Sequence, residues 1–263
     1  MLPMMKPKIA VCTHMIPSIE EVAALARENG SLAIDYSLDS QNLHACGTDI
    51  ERLHDLTRGS ELEIRYHCFF GDVEIGHTDA RHGDAALAKI KEAIDYVQSF
   101  GGRYVTLHVG LNSRLHGELD WENALKNLRE LVIFGKERGV TVCLENLKSG
   151  FTSEPERFLK LIELSGASVT FDIGHAISSD AGKNGARAEE FVRLVSPYII
   201  NAHIYEAEEA PGHIAPKDLD TIEPVLQELI KTDCGWWVIE LGDQEEIRRT
   251  RNLIQSFLSR YSS

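Results

Sequence analysis

The stretch VTVCLENL, from Val140 to Leu147, combines a continuous apolar run with a charged residue near its end. A helical pattern ends just before it at Arg138 and Gly139, and five strand-forming residues then lead directly into Glu145. A continuous apolar run of this length predicts a fully buried strand of a parallel sheet. Burying an unpaired carboxylate costs several kcal/mol. We therefore expect a positive partner for Glu145.

The same pattern recurs in three later segments. SVTFDIGH places Asp172 at the end of an apolar strand, YIINAHIYE does the same with His203, and WWVIELGD with Glu240. Together with Glu145, these residues supply three carboxylates and one imidazole at the ends of successive strands. Oxygen ligands with one imidazole suit a single divalent ion such as Zn²⁺, Mn²⁺, Co²⁺ or Mg²⁺. The sequence therefore predicts a metal site formed by these four residues.

Strand-like and helix-like segments alternate along the whole chain. The strand-like segments are Ile9–Ile16, Leu32–Leu38, Leu62–Phe70, Arg103–Gly110, Val140–Leu147, Ser168–Ala176, Tyr198–Ala207 and Trp236–Leu241. The helix-like segments are Ser18–Gly30, Asp49–Arg58, Asp79–Phe100, Asp120–Arg138, Glu154–Leu164, Ala188–Val195, Leu219–Lys231 and Gln244–Leu258. Eight such repeats predict an α/β fold in which one (β/α)8 TIM barrel forms a single domain over residues 1–263. The alternative is an open doubly wound sheet, but no GxGxxG turn follows the first strand.

Composition limits the class of partner. The chain has 263 residues, 43% of them hydrophobic, and a net charge of −14. That sign is wrong for a protein that grips phosphate backbones, so we do not expect nucleic acid as a partner. The five cysteines are odd in number and lack CxxC spacing, which indicates a reduced, cytoplasmic protein. No signal segment or apolar stretch of about 18 residues is present, so no membrane association is expected.

The longest loops all follow strands, as expected for the catalytic face of a barrel. They cover residues 70–78, 112–119, 178–187 and 207–217.

Four further histidines are candidate site residues. His67 and His108 end the third and fourth strands, where they either bind a second metal or cap a barrel layer through backbone carbonyls. His175 follows Asp172 by three residues and can reach substrate or a further metal. His213 lies in the loop APGHIAP, where it either contacts substrate or a further metal together with His175 or is a solvated loop residue.

The chain resembles the xylose isomerase-like TIM barrels, the sugar phosphate isomerase/epimerase group that also includes endonuclease IV. The segments that carry the resemblance are RYVTLHVG, LENL, FDIGHA with its D-x-x-H pattern, NAHI and IEL, in the family's order along the chain. The resemblance implies that Glu145, Asp172, His203 and Glu240 bind one divalent metal and that Glu145 and Glu240 transfer protons. His175 would stabilise the developing oxyanion, and the substrate would be a small sugar, sugar phosphate or related polyol. Homodimers are common in the group.

Two departures from the family pattern keep a second reading open. Ketose 3-epimerases of the group carry an arginine where this chain has Glu209, and they lack the pair His67 and His108. That pair is similar to the endonuclease IV pattern, in which it shares a glutamate with a second metal while the equivalents of His175 and His213 hold a third. An aspartate of that pattern is replaced by Pro211. The alternative is thus a phosphoester hydrolase with two or more zinc ions, and a non-catalytic binding barrel is a third possibility.

Overall fold

Eight parallel strands close into a barrel in the computed structural model, which describes residues 6–16, 18–28, 32–68, 70–110, 119–210 and 212–261. The barrel strands are β1 (Lys8–Cys12), β2 (Leu32–Ser37), β3 (Leu62–Cys68), β4 (Tyr104–Leu107), β5 (Thr141–Glu145), β6 (Ser168–Asp172), β7 (Ile199–Ile204) and β10 (Trp236–Ile239). Between β7 and β10, the strands β8 (Ala207–Glu209) and β9 (Gly212–Ile214) form a separate hairpin. β10 pairs with both β7 and β1 and so completes the ring. The predicted TIM barrel is confirmed, and the open sheet is excluded.

Helices follow the barrel strands, and all but the short helix Asp180–Lys183 bury residues in the protein interior. They are α1 (Ile19–Glu28), α2 (Leu43–Leu56), α3 (Ala80–Ser99), α4 (Trp121–Glu137), α5 (Pro155–Ser165), α6 (Ile173–Ser178), α7 (Asp180–Lys183), α8 (Ala188–Val195), α9 (Glu223–Leu229) and α10 (Gln244–Ser259). The side chains of Asp79 and Asp120 cap α3 and α4 by accepting backbone N–H groups of the first turn. Within the described ranges, no helix is long and apolar enough to cross a membrane.

Several predicted boundaries were wrong, among them the end of the first strand, which lies at Cys12 rather than Ile16. The second helix begins at Leu43 rather than Asp49, because Asn42 caps it by accepting a hydrogen bond from the Ala45 backbone N–H at 3.1 Å. The sixth strand ends at Asp172 instead of continuing to Ala176. There the Asp172 side chain caps α6, so the chain turns from strand to helix at the carboxylate itself.

The predicted long loops contain some regular structure. The segment 207–217 includes the hairpin β8–β9, and the segment 178–187 includes α7. Most of the predicted loop 112–119 lies outside the described residues, as do Pro211 and Gly30, the last residue of the first helix-like segment. The described loops that follow the strands lie at the carboxyl ends of the barrel strands, where the predicted site residues are also found.

The interior of the barrel is polar above an apolar base. Ala10, Ala33, Trp236, Val238 and Cys12 form a small cluster separate from the main core between strands and helices. Further hydroxyls and amides bond across the interior, including the Thr106–Thr170 pair at 2.8 Å. Side chains of a strand alternate between its two faces. The polar residues at the barrel mouth are therefore on the same, inward face of their strands as the residues of the barrel interior.

Candidate metal centre

Six predicted site residues meet in the barrel mouth. The structure brings together His67, His108, Glu145, Asp172, His203 and Glu240, all of them buried. Each lies at or next to the carboxyl end of its strand, from β3 round to β10. The carboxyl ends of the parallel strands lie together on one face of the barrel. Residues at these ends therefore form a cluster.

Glu145 is at the centre of this cluster and contacts four imidazoles. Its Oε2 atom lies 3.2 Å from His108 Nε2, 3.3 Å from His67 Nε2 and 3.4 Å from His203 Nδ1. Its Oε1 atom lies 3.4 Å from His175 Nδ1. The partners of this carboxylate are thus four histidines, and its two oxygens face different members of that set.

His203 links the other two carboxylates to Glu145. Its Nδ1 atom lies 3.3 Å from Glu240 Oε2 and 3.7 Å from Asp172 Oδ2. The backbone of Asp172 is fixed by the side-chain amide of Asn146, which donates to the Asp172 carbonyl at 2.9 Å and accepts from the Asp172 N–H at 2.8 Å. Asn146 therefore fixes β6 beside β5 and keeps both carboxylates in the same small volume.

His175 approaches the cluster from α6, and His213 approaches it from β9. The Nδ1–H of His175 donates to the Asn146 carbonyl at 2.9 Å, and that of His213 donates to the Glu240 carbonyl at 2.8 Å. The His213 ring also stacks on Tyr205 at 3.8 Å between centroids. A ring N–H bonded to a backbone carbonyl fixes the orientation of an imidazole, as is common for histidines that bind metals or act in catalysis.

The close approach of α6 to Tyr205 requires a glycine in the D-x-x-H segment. A Cβ atom at Gly174 would lie 1.9 Å from the Tyr205 ring. The absence of a side chain therefore lets α6 pack directly on β7 and its following residue. This packing places His175 one turn beyond Asp172, with 3.5 Å between His175 Nδ1 and Asp172 Oδ2.

Sequence reasoning missed three residues of the site. Asp35 of β2 is buried in the barrel interior, with its Oδ1 atom 3.7 Å from His67 Nδ1. Glu208 of β8 contacts His175 Nε2 at 3.2 Å and forms a 2.7 Å ion pair with Lys148. The signal for Asp35 was a carboxylate inside the apolar run LAIDYSL. Glu208 and Lys148 carried no such signal, because the hairpin that positions Glu208 was not predicted.

The charges of the cluster stabilise one another. Burial raises the pKa of Glu145, but the electrostatic interaction with His203 and the contact with His108 outweigh it and hold that pKa well below its usual range. Burial lowers the pKa of His203, yet Glu145 and Glu240 hold it well above the ordinary imidazole value. By contrast, burial lowers the pKa of His67 to about 3. Protonated and neutral imidazoles thus lie side by side around Glu145.

His175 and Glu208 form a second charged pair at the cavity wall. Burial lowers the pKa of His175, but the carboxylates of Asp172 and Glu145 and the contact with Glu208 hold it well above its usual value. The hydrogen bond from His175, with the contribution of Lys148, lowers the pKa of Glu208 to about 2. His175 is therefore an imidazolium that donates through both ring nitrogens, to Asn146 and to Glu208.

The donor set fits a divalent metal. Four groups of three residues bring their nitrogen and oxygen atoms within 4.8 Å of one another: Asp35–His67–His203, His67–His108–Glu145, Glu145–Asp172–His175 and Asp172–His203–Glu240. Within the described residues, Asp172 Oδ2 and His203 Nδ1 are buried and make no hydrogen bond. Buried polar atoms without hydrogen bonds are costly, and a metal ion would satisfy both. His213 belongs to none of the four groups found in this part of the chain.

A cavity of about 280 Å³ opens directly above the cluster. Its wall includes His14, Lys148, Glu208 and His213 in addition to Glu145, Glu240, His67, His108 and His175. Polar side chains thus converge from β3, β4, β5 and β10 and from the loops beyond β5, β6 and β7. This arrangement can bind a small polar molecule in contact with both glutamates.

Comparisons with known proteins agree with the fold. A family model described as xylose isomerase-like TIM barrel matches residues 23–258. A D-tagatose 3-epimerase-like protein is similar in structure with a TM-score of 0.75 and 21% identity, covering 97% of this chain and 98% of that chain. A D-psicose 3-epimerase gives 0.74 and 12%, covering 97% and 100% respectively.

Among curated proteins, an uncharacterised protein of Methanocaldococcus jannaschii is 31% identical over 166 residues, 63% of this chain and 71% of that protein. The structural likenesses extend over nearly the full length of both chains and concern the barrel as a whole. The family model covers all four strand ends that carry Glu145, Asp172, His203 and Glu240. The chain belongs to the xylose isomerase-like TIM barrel family.

Proposed function

We propose that the protein is a divalent-metal-dependent isomerase or epimerase of a small sugar, a sugar phosphate or a related polyol. The observation that carries this proposal is that Glu145 and Glu240 both face one cavity of about 280 Å³. Small-molecule sites commonly measure roughly 300–1,000 Å³, so this cavity suits a compact substrate. The similarity to a D-tagatose 3-epimerase-like protein and to a D-psicose 3-epimerase supports the reaction class.

In this proposal Glu145, Asp172, His203 and Glu240 hold the metal. When bound, a divalent ion polarises the carbonyl and the neighbouring hydroxyl of the substrate. The buried atoms Asp172 Oδ2 and His203 Nδ1 support this assignment, because each lacks a hydrogen bond within the described ranges. The fixed position of Asp172 on Asn146 preorganises the set before any ligand arrives.

Glu145 and Glu240 are the proposed proton carriers. The charge of His203 helps to hold the pKa of both below the usual range despite burial, so both are carboxylates at neutral pH and can accept a proton. One takes the proton from the carbon beside the carbonyl, and the C–H electron pair becomes the double bond of an enediolate. A proton returned to that carbon from the opposite face gives an epimer, and a proton returned to the neighbouring carbon gives an isomer.

His175 is the proposed stabiliser of negative charge on the substrate oxygen. It is an imidazolium whose Nε2–H faces Glu208 Oε2 at 3.2 Å, at the wall of the cavity. A substrate oxygen that becomes negative competes with Glu208 for this N–H, and preorganised donors of this kind stabilise developing charge. We expect Glu208→Gln to lower the pKa of His175, which NMR titration of the imidazole measures directly.

The test is conversion of substrate by the metal-loaded protein on a panel of ketoses, ketose phosphates and aldoses. Exchange of substrate C–H for deuterium in D₂O reports proton abstraction even when the product is not separated. We expect exchange with the wild type, and a loss of at least about 100-fold with Glu145→Gln, since general base catalysis contributes about 10²–10⁴-fold. Glu156→Gln makes the same chemical change on the exposed surface of α5 and should keep full activity. Exchange that survives in Glu145→Gln would refute the assigned base.

A phosphoester hydrolase is the second candidate, and the group His67–His108–Glu145 favours it. These three residues form a second ligand group beside the four proposed metal ligands, and Glu145 belongs to both groups. Paired metals sharing a carboxylate are typical of phosphoester hydrolysis. The net charge of −14 argues against nucleic acid as the substrate of such an enzyme. Hydrolysis of bis(p-nitrophenyl) phosphate or of abasic-site DNA, absent in His67→Ala, would establish this candidate in place of the first.

A further inference from the structure

Asp35 is a buried carboxylate that makes no side-chain hydrogen bond within the described residues. It lies on β2 inside the barrel with 1% of its surface exposed. Within the part of the chain that the structure describes, neither of its oxygens makes a hydrogen bond. The adjacent cation of β3, Arg65, is directed elsewhere, because it donates to the Ile200 carbonyl at 3.1 Å and lies 3.5 Å from Glu63. Burying a carboxylate without a hydrogen bond costs free energy of folding, so we expect a function of Asp35 that offsets this cost.

Two imidazoles of the candidate metal centre lie next to Asp35. His67 Nδ1 is 3.7 Å from Asp35 Oδ1, while the opposite nitrogen, Nε2, faces Glu145 at 3.3 Å. Asp35, His67 and His203 each present one nitrogen or oxygen atom within 4.8 Å of the other two. His203 Nδ1 faces the carboxylates of Glu145 and Glu240, and its Nε2 atom is buried without a hydrogen bond within the described ranges.

We propose that Asp35 is a positioning residue whose two oxygens accept ring N–H groups from His203, a proposed ligand of the metal, and from His67, which borders the metal centre. This role rests on the metal centre of the proposed function. A metal-binding imidazole needs its second nitrogen protonated and held, and a carboxylate is a common partner for that N–H. Closing 3.7 Å to hydrogen-bond distance requires a shift of only about 0.5 Å.

The position of Asp35 gives it an effect on both ligand groups. His67 belongs to the group with His108 and Glu145, and His203 to the group with Asp172 and Glu240. One carboxylate that fixes a nitrogen of each ring therefore orients both groups. Replacing Asp35 should weaken metal binding without removing any residue that touches the metal.

The test compares the full-length wild type with Asp35→Asn and Asp35→Ala, using Co²⁺ as the probe. Competition with a chelator measures the dissociation constant, and the visible absorption spectrum of Co²⁺ reports the geometry of its ligands. We expect both variants to bind as many ions per chain as the wild type, with affinity weakened about 10–100-fold and a changed spectrum. Asp49→Asn makes the same chemical change on α2, where the carboxylate accepts from Tyr36 at 3.0 Å, and should leave both readouts unchanged.

Two results would overturn the proposal. An unchanged dissociation constant and spectrum in Asp35→Asn would reduce Asp35 to a structural residue. The loss of a whole metal ion per chain would make Asp35 a direct ligand instead.

A second readout separates this proposal from the proposed function. ¹⁵N NMR of the imidazoles in the metal-free protein shows which nitrogen carries the proton. We expect His67 to carry it on Nδ1 in the wild type and to lose that preference in Asp35→Ala. If the wild type binds no Co²⁺, the metal centre fails, while the imidazole spectra still decide whether Asp35 holds the rings. An unchanged His67 tautomer in Asp35→Ala would refute the positioning role.

Discussion

The replacement Asp35→Asn should stabilise the metal-free protein, and by an amount that grows with pH. Burial raises the pKa of Asp35 from 3.8 to about 7 in the folded state. Between these values the folded protein binds more protons at this site than the unfolded chain, so wild-type stability falls as pH rises from about 4 through 7. A difference of about 3 pKa units at 1.36 kcal/mol each amounts to about 4 kcal/mol.

Urea unfolding of both proteins with a chelator present, at intervals from pH 4 to 9, measures this difference. The variant lacks the titrating group, so its excess free energy of unfolding should be near zero at pH 4 and approach about 4 kcal/mol above pH 7. Asp72→Asn is a control of opposite sign. Burial of Asp72 raises its pKa, but bonds from Lys89 and Ser40 outweigh this and lower it, so its removal should destabilise the protein at neutral pH. A constant excess across the pH range in Asp35→Asn would refute the reasoning.

Two further outcomes follow from the packing and charge of the site. Because His175 and His203 have pKa values held above the ordinary range, metal binding at pH 7 should release at least one proton per ion, measured by calorimetry in buffers of different ionisation enthalpy. Gly174→Ala places a methyl group 1.9 Å from the Tyr205 ring and should destabilise the protein by at least about 1–3 kcal/mol in urea unfolding. Gly71→Ala, whose added methyl meets no atom of the described residues within 4 Å, should stay within about 0.5 kcal/mol of wild type.

The fold was predictable from local patterns because most barrel strands are short apolar runs with a polar residue at or next to their carboxyl end. Glu145, Asp172, His203 and Glu240 stand out for that reason, and the barrel brings them together without any loop having to be known. The end of the sixth strand was predicted too late, because Ile173 and Ala176 continue the apolar pattern beyond Asp172. Only the hydrogen bond from His175 N–H to Asp172 Oδ1, at 2.6 Å, shows that a helix starts there.

The parts of the site that could not be predicted depend on pairing across the chain. Asp35 lies in an apolar run whose inward face is known only once the barrel closes, and its nearest imidazole, His67, lies on the next strand. Glu208 reaches His175 through a three-residue hairpin strand whose sequence has little strand character. Contacts of this kind are set by tertiary packing, and no spacing along the chain encodes them.

The most direct test of the proposed metal centre is the number of metal ions bound per chain in the purified protein, with Glu145→Gln and His67→Ala measured alongside. The proposed isomerase or epimerase predicts one ion, lost in Glu145→Gln and kept in His67→Ala. Two or more ions, one of them dependent on His67, would contradict that reading and favour phosphoester hydrolysis. No bound ion in the wild type, even after incubation with Mn²⁺ or Zn²⁺, would contradict both.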